Sequence, residues 1–232
     1  MLARDGGTAA PSLAIRYVPG DRGAEIWLID PKWGKSDVAG AESVKLLLDV
    51  PGAKPIGNFG VVELPGGGYA LATEWIDSDF VYAFPDARFV SVEKKGREFI
   101  RIPVPDAAKA MAATRECEND LLKRWGVDPI VFRTLKTPPK PISEINWFSE
   151  SDYPSAALRK GATGKVYARV NVSAEGKVTG CDPVISSGSP DLDRTTCGLI
   201  MRHGHYEPAI SAGGRPVASL TITYVTWLIS SG

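Results

Sequence analysis

The sequence has few of the residues that catalysis most often uses, and no excess of either charge. Only two histidines and three cysteines occur among 232 residues, so acid–base and nucleophilic chemistry have few candidate groups. Lysine plus arginine equals aspartate plus glutamate at 27 each, so no global field favours nucleic acid or an anionic membrane surface. No stretch approaches ~18 consecutive apolar residues, and the start of the chain lacks an apolar signal stretch. We therefore expect no nucleic acid partner and no membrane anchor within this sequence.

Common enzyme motifs are also absent. The sequence has no Gly-x-Ser-x-Gly elbow, no His-Glu-x-x-His and no phosphate-binding loop ending in Gly-Lys-Ser/Thr. Ser186, Asp193 and His203 would be the members of an imagined hydrolase triad. The segment 186–188 is better interpreted as a strand-to-helix turn whose hydroxyls satisfy backbone groups. We predict that the protein is not an enzyme and has no catalytic residue, no cofactor and no small-molecule substrate.

The clearest periodicity lies in the last third of the chain. From residue 165 to residue 172, apolar and more polar residues alternate, the period-two pattern of a half-buried antiparallel strand. The apolar set is Val166, Ala168, Val170 and Val172. A turn at 174–177 leads to a second strand over 178–185, which completes a hairpin.

A helix and a final strand are predicted after this hairpin. Ser189, Pro190 and Asp191 supply a capping hydroxyl, a proline suited to the first turn and an acid at the positive end of the helix dipole. The helical spacing is carried by Leu192, Thr196, Leu199 and His203. In the last strand we expect Ala218, Leu220, Ile222 and Tyr224 to point inward and Ser219, Thr221 and Thr223 to point outward. The order β-β-α-β predicts a two-layer α+β domain with a three-stranded antiparallel sheet.

The first part of the chain is predicted to be a β-rich domain closed by one long helix. Expected strands are 13–18, 24–29, 44–50, 89–93 and 98–104. The helix is expected from about residue 106 to residue 125, with Ala110, Ala113, Cys117 and Leu121 on its apolar face and Gly126 as its cap. The prolines within 136–141 indicate an extended linker. These patterns predict an N-terminal domain over 1–135 and a C-terminal domain over 142–232.

A series of short motifs runs in order through the C-terminal stretch. They are Tyr153-Pro154, Ala157-Leu158-Arg159, Gly161 to Val166, Gly176-Lys177-Val178, Ser186-Ser187-Gly188, Leu192-Asp193, Tyr206-Glu207-Pro208-Ala209 and Gly214-Arg215-Pro216-Val217. With these motifs, residues 142–230 resemble the C-terminal domain of the TonB family of periplasmic energy transducers. The resemblance implies a periplasmic protein of a Gram-negative bacterium, with a leader or N-terminal anchor ahead of this sequence.

The resemblance also implies a binding edge. In that family the C-terminal strand binds a short extended segment of an outer-membrane receptor by strand addition, in the service of energy-coupled transport. Carried over to this chain, the partner-binding residues are Asp152, Tyr153, Pro154, Val217, Ser219, Thr221, Thr223, Val225 and Trp227. The sequence departs from the family pattern at Asp152, where glutamine is common, and at 203–205, where His-Gly-His replaces a more basic stretch.

A second function class stays open beside the first. The linker is short, and a folded domain takes the place of a long proline-rich spacer. The protein is therefore either a TonB-like transducer or adaptor, or a periplasmic interaction or structural protein without energy coupling. The same unguarded strand edge would then mediate a homodimer.

The cysteines are assigned by position and by compartment. Cys181 lies on the second hairpin strand and Cys197 on the helix that must cover the sheet, so the two can meet across the layer. In the oxidising periplasm that the resemblance implies, we predict a disulfide between them. The alternative is a Cys2His2 metal site with His203 and His205, which we reject because the two rings of His-x-His at a helix end should diverge. Cys117 is expected to be a buried thiol.

Overall fold

The computed structural model of the chain describes residues 2–3, 11–20, 23–64, 67–73, 76 and 78–229. Contacts divide the chain into two compact units, Met1–Glu118 and Asn119–Gly232. Both contain helices and strands, so the predicted mixed class is confirmed. Within the residues described, every helix is too short or too polar to cross a membrane.

The first unit contains two antiparallel sheets. Its elements are β1 (Leu2–Ala3), β2 (Ser12–Tyr17), β3 (Ala24–Ile29), β4 (Val44–Leu48), β5 (Phe59–Glu63), β6 (Tyr69–Thr73), α1 (Ser78–Ala83), β7 (Phe89–Lys94), β8 (Arg97–Pro103) and the first part of α2 (Ala107–Arg124). One sheet has the strand order β1-β2-β3-β6-β5 and the other has the order β4-β7-β8. Strands therefore lie at each of the five sites where the sequence predicts one, and the sheets also contain β1, β5 and β6.

A single core joins these two sheets. Ile15 and Ile26 of the first sheet and Leu46 and Val92 of the second are all almost completely buried in one cluster. Met111 of α2 completes that cluster. Each sheet thus buries one face against the same apolar core, as expected for sheets that stack face to face.

The long helix α2 has the predicted length but buries a different face. Met111 and Leu122 are buried, whereas Ala113 and Cys117 are exposed. The prediction of a buried thiol at Cys117 is therefore wrong. Burial of a large methionine or leucine side chain yields more hydrophobic free energy than burial of alanine, so the larger residues set the orientation of the helix.

The second unit contains the remaining elements. They are α3 (Pro129–Arg133), β9 (Lys140–Pro141), α4 (Ser155–Arg159), β10 (Gly164–Val172), β11 (Val178–Ile185), α5 (Pro190–His203), β12 (Tyr206–Glu207), β13 (Ala209–Ile210), β14 (Pro216–Val217) and β15 (Ser219–Trp227). The hairpin β10–β11 and the last strand β15 form an antiparallel sheet in the order β11-β10-β15. The inward alternation of β10 holds, since Val166, Ala168, Val170 and Val172 are all buried.

Helix α5 covers one face of this sheet. Leu192 and Leu199 pack in one cluster with Val166 of β10, and Ile200 packs with Val170 in a neighbouring cluster. The helix begins after Ser189 and ends at His203, as the spacing predicts.

The opposite face of the sheet is covered by residues that precede the predicted linker. Leu122, Phe132 and Leu135 are buried with Ala209 and Leu220 in one cluster. These residues therefore fold with the second unit, which explains why the contact division falls between Glu118 and Asn119. Independent folding of 1–135 and 142–232 stays a prediction.

The predicted linker 136–141 is extended but is paired with the second unit. The Lys136 amide donates to the Ile210 carbonyl at 2.7 Å, and the Ile210 amide donates to the Thr137 carbonyl at 2.9 Å. Strand β9 then pairs with β12. Lys136 and Thr137 precede the first proline of the segment, so their backbone groups are free to form these hydrogen bonds.

Candidate functional site

Strand β15 is a long edge strand. It pairs with β10 from Ser219 opposite Val172 to Trp227 opposite Gly164, and the part of the chain that the structure describes pairs no other strand with it. Its nine residues include no proline and no charged residue. Such an edge presents a row of unpaired backbone groups to another strand.

The other edge of the same sheet is less suited to pairing. Strand β11 contains Asp182 and Pro183, and proline removes a backbone donor from an edge. The ladder between β10 and β11 is also irregular, with register shifts between Tyr167 and Ala168 and between Asn171 and Val172. Charges, prolines and bulges are features that protect edge strands. Between the two edges, β15 is therefore the open one.

The side chains of β15 alternate in the opposite sense to the prediction. Ser219, Thr223 and Trp227 are buried on the α5 side of the sheet, and Tyr224 is 52% exposed. The prediction that Ser219 and Thr223 point outward is therefore wrong. Thr221 and Val225 share that face and are half-buried.

Buried hydrogen bonds hold these polar side chains in place. The Thr223 and Tyr206 hydroxyls are 2.8 Å apart, and the indole N–H of Trp227 donates to Thr196 Oγ1 at 2.9 Å. The Thr196 hydroxyl in turn donates to the Leu192 carbonyl at 2.9 Å. Burial raises the pKa of Tyr206, so this residue stays a neutral phenol. The role of Tyr206 was missed from the sequence, although its place in the motif 206–209 was a signal.

Val217 does not belong to β15. It pairs with Ala209 in the short ladder of β13 and β14, and Ala218 separates it from the edge strand. Val217 also packs against the cluster around Leu220. The open edge therefore begins at Ser219 rather than at Val217.

The segment 152–154 lies next to the end of β15. The rings of Tyr153 and Trp227 meet edge to face with centroids 5.1 Å apart, and the Tyr153 hydroxyl donates to the Ala162 carbonyl at 2.5 Å. Pro154 directly precedes α4 as its N-cap residue. Tyr153 is thus the residue of this segment that contacts the last strand, and partner binding by 152–154 stays a prediction.

Asp152 has a local structural role. Its carboxylate accepts hydrogen bonds from the Ser149 hydroxyl at 2.7 Å and from the Ser149 amide at 2.8 Å. These hydrogen bonds, with weaker contributions from Arg202 and His203, lower the pKa of Asp152. Asp152 thus completes a capping box ahead of Tyr153.

The serines that follow β11 form a turn around one carboxylate. Asp193 accepts hydrogen bonds from the Ser186 hydroxyl at 2.6 Å, the Ser187 hydroxyl at 2.8 Å and the Ser187 amide at 2.9 Å. Burial alone would raise the pKa of Asp193, and these hydrogen bonds outweigh burial and lower it. The serines therefore donate to the carboxylate as part of a turn, in agreement with that interpretation.

The predicted disulfide is present. Cys181 and Cys197 are bonded, with Cα atoms 5.4 Å apart, so their sulfur atoms are not available as thiolate ligands. His203 and His205 both line one cavity, and the divergence of their rings stays a prediction. The described residues contain no group of three or more histidine, cysteine, aspartate or glutamate side chains placed to hold a metal ion.

Comparisons with known proteins agree with this description of the C-terminal stretch. The family described as Gram-negative bacterial TonB protein C-terminal matches residues 149–227. No curated protein matches the chain. The solution NMR structure of the Pseudomonas aeruginosa TonB CTD is 22% identical, covers 42% of this chain and 92% of that chain, and gives a TM-score of 0.32. The family match spans β10, β11, α5 and β15, and residues 149–227 are therefore a TonB C-terminal domain.

Proposed function

We propose that this protein is a TonB-like periplasmic protein that binds an extended segment of an outer-membrane receptor by strand addition to β15. The observation that carries the proposal is the open edge from Ser219 to Trp227, with one strand partner in the described part of the chain and neither proline nor charge along its length. In TonB-like proteins this contact serves energy-coupled transport, and we assign this domain the receptor-binding part of that role.

The backbone supplies the binding energy in this proposal. Ser219, Thr223 and Trp227 are already engaged in the core, so their side chains fix the position of the strand. An added strand would pair with the free backbone groups of β15, and the exposed side chains at Tyr224 and Thr226 would set the choice of partner. Tyr224 is itself held in place, because the Lys165 ammonium lies 3.9 Å from the centre of its ring.

A homodimer through the same edge is the second candidate. Backbone pairing does not distinguish a receptor segment from β15 of another copy. The two candidates differ in their dependence on protein concentration. Sedimentation equilibrium of the protein alone therefore separates them from each other.

The test uses two neighbouring proline substitutions in β15. Backbone N–H groups alternate in direction along a strand, so one of Thr221 and Ile222 directs its N–H to the open edge and the other to β10. Thr221→Pro and Ile222→Pro therefore form a matched pair. We expect the edge-facing substitution to abolish calorimetric binding of synthetic peptides from the periplasm-facing segments of outer-membrane receptors, with a modest loss of thermal stability.

The other substitution serves as the control. It removes a hydrogen bond between β15 and β10, so we expect a larger fall in the melting temperature. If both variants stay folded and bind the peptides like the parent, strand addition to β15 is wrong.

A further inference from the structure

A cavity of about 350 Å³ lies at the C-terminal end of α5, inside the second unit. Six of the seven residues that line it carry side-chain N–H or O–H donors: Ser143, Asn146, Trp147, Arg202, His203 and His205. The remaining lining residue, Ile142, is apolar. The volume reaches the lower end of the range of pockets that bind small molecules, and the cavity is open to solvent because six of its seven lining residues are exposed.

The backbone around the cavity brings the two histidines together. Gly204 is buried, and a Cβ atom added there would lie 2.9 Å from Val178 Cγ2. Only glycine therefore fits at this position without a shift of its neighbours. His203 ends α5, and the His205 carbonyl accepts a hydrogen bond from the Ile142 amide at 2.8 Å. His203 and His205 thus flank Gly204, where the chain leaves α5, and both line the cavity.

The segment that carries the other lining residues is also fixed by its backbone and its packing. Ser143 has a left-handed backbone conformation with φ 51°, which is unusual for serine, and it starts the short 3-10 helix 144–146. Trp147 is only 3% exposed and packs against Tyr206 with ring centroids 5.2 Å apart. Strained non-glycine residues in a rigid frame are often found at ligand sites.

The donors of the cavity have no acceptor partner in the part of the chain that the structure describes. None of the six donor side chains donates a hydrogen bond to another described residue, and no described carboxylate lines the cavity. Apart from Trp147 these side chains are exposed, so their donors face solvent and are available to a ligand. Asp152, the acid whose charge interacts with Arg202 and His203, is already bonded to Ser149. Glu144 lies on the 3-10 helix outside the lining, and burial raises the pKa of its carboxyl group.

We propose that this cavity binds a small ligand with a carboxylate next to a flat apolar group. Arg202 offers a fork of parallel donors that suits a planar carboxylate, and the histidines and Asn146 add further donors around it. Ile142, which is 45% exposed, supplies the apolar surface for the adjoining group, beside the buried Trp147. A metal ion is disfavoured because the Arg202 guanidinium repels a cation. The inference is independent of receptor binding at β15.

The test is a titration of the full-length protein with benzoate, followed by the amide and indole NMR signals of the second unit. Benzamide, the neutral analogue, and inorganic phosphate, a tetrahedral anion, are titrated in parallel. We expect saturable shifts with benzoate at Ser143, Asn146, Trp147 and Gly204, and weaker effects with the other two compounds. Arg202→Gln should weaken benzoate binding about tenfold or more, since it removes a charge-assisted pair of hydrogen bonds.

Two further variants keep the test decisive. Arg194→Gln makes the same chemical change on the same helix, away from the cavity lining, and should leave benzoate binding unchanged. The double variant H203Q/H205Q should weaken binding even if Arg202→Gln does not fold. Equal binding of benzoate and benzamide, stronger binding of phosphate, unchanged binding in folded Arg202→Gln, or no saturable shift with benzoate would each overturn the proposal.

Discussion

At the scale of single residues, the second unit is held by a few covalent and polar contacts on the α5 side of its sheet. The disulfide joins β11 to α5, the Asp193 carboxylate holds the turn between them, and Thr196 connects α5 to Trp227. Polar groups in such positions stabilise a fold because their hydrogen bonds are satisfied, and each one lost leaves a buried group unpaired. The contributions of the disulfide and of the Asp193 turn to the free energy of unfolding can each be predicted.

The disulfide should contribute substantially to the stability of the second unit. It closes a loop with a sequence separation of 16 residues, for which the chain-entropy model gives about 3 kcal/mol. We expect the double variant C181S/C197S to lose about this amount in urea unfolding. Peptide mass spectrometry of the non-reduced parent should show the two cysteines linked. The matched control is Cys117→Ser, which should leave stability unchanged because Cys117 is exposed. An equal effect of both variants would contradict the assignment.

The Asp193 turn should make stability depend on pH. The folded-state pKa of Asp193 is lowered, so its stabilising contribution is present above the unfolded value of about 3.9 and is lost as the pH falls through the folded-state pKa. Asp193→Asn should therefore cost about 1.5–3 kcal/mol at neutral pH, and this cost should shrink below that pKa. The measurement is urea unfolding of parent and variant across the acidic range. Asp191→Asn, in the same helix turn, is the control and should cost less.

At the scale of elements, the sequence predicts the positions of strands and helices better than the direction of their side chains. The predicted side-chain directions of β10 are confirmed because all four inward residues are apolar. In β15 the rule fails because both faces are partly covered: Leu220 is buried on the side opposite α5, beneath Leu122 and Phe132. The period-two pattern applies to a strand with one face exposed to solvent, so it predicts that the threonines of β15 point to solvent. Trp227 lies on the same face of β15 as Thr223, and this large aromatic side chain is the residue in the sequence that indicates burial of that face.

Other features could not be predicted from local patterns. The packing of Leu122 and Leu135 against Leu220 joins residues far apart in sequence, and no periodicity reports such a contact. The prediction of the buried face of α2 is wrong because it rests on alanine and cysteine, which are small and only weakly apolar. The open edge was expected from the resemblance, and its limit at Ser219 depends on the pairing of β13 with β14.

The packing of α2 and α3 residues predicts a fragment experiment. A fragment over 119–232 should unfold cooperatively and be more stable than a fragment over 136–232, which keeps β9 but lacks Leu122 and Phe132. Loss of these buried side chains should cost about 3–5 kcal/mol. In the whole chain, Leu122→Ala should destabilise the protein by about 2–5 kcal/mol. Equal stability of the two fragments would show that residues 119–135 do not belong to this core.

At the scale of the whole molecule, a function is proposed for the second unit and none for the first. The family match lies entirely in the second unit, and the proposed strand addition and the cavity both lie there as well. The first unit has its own core of two stacked sheets, and its function is not assigned. The central claim is therefore a claim about one strand edge.

Amide hydrogen exchange along β15 tests that claim most directly. Because N–H groups alternate in direction, an added strand should protect every second amide from Ser219 to Trp227, while the amides bonded to β10 are protected already. We predict this alternating gain when a receptor peptide binds the full-length protein, with no gain along β11. Binding without new protection in β15, or with the new protection in β11, would contradict the proposed function.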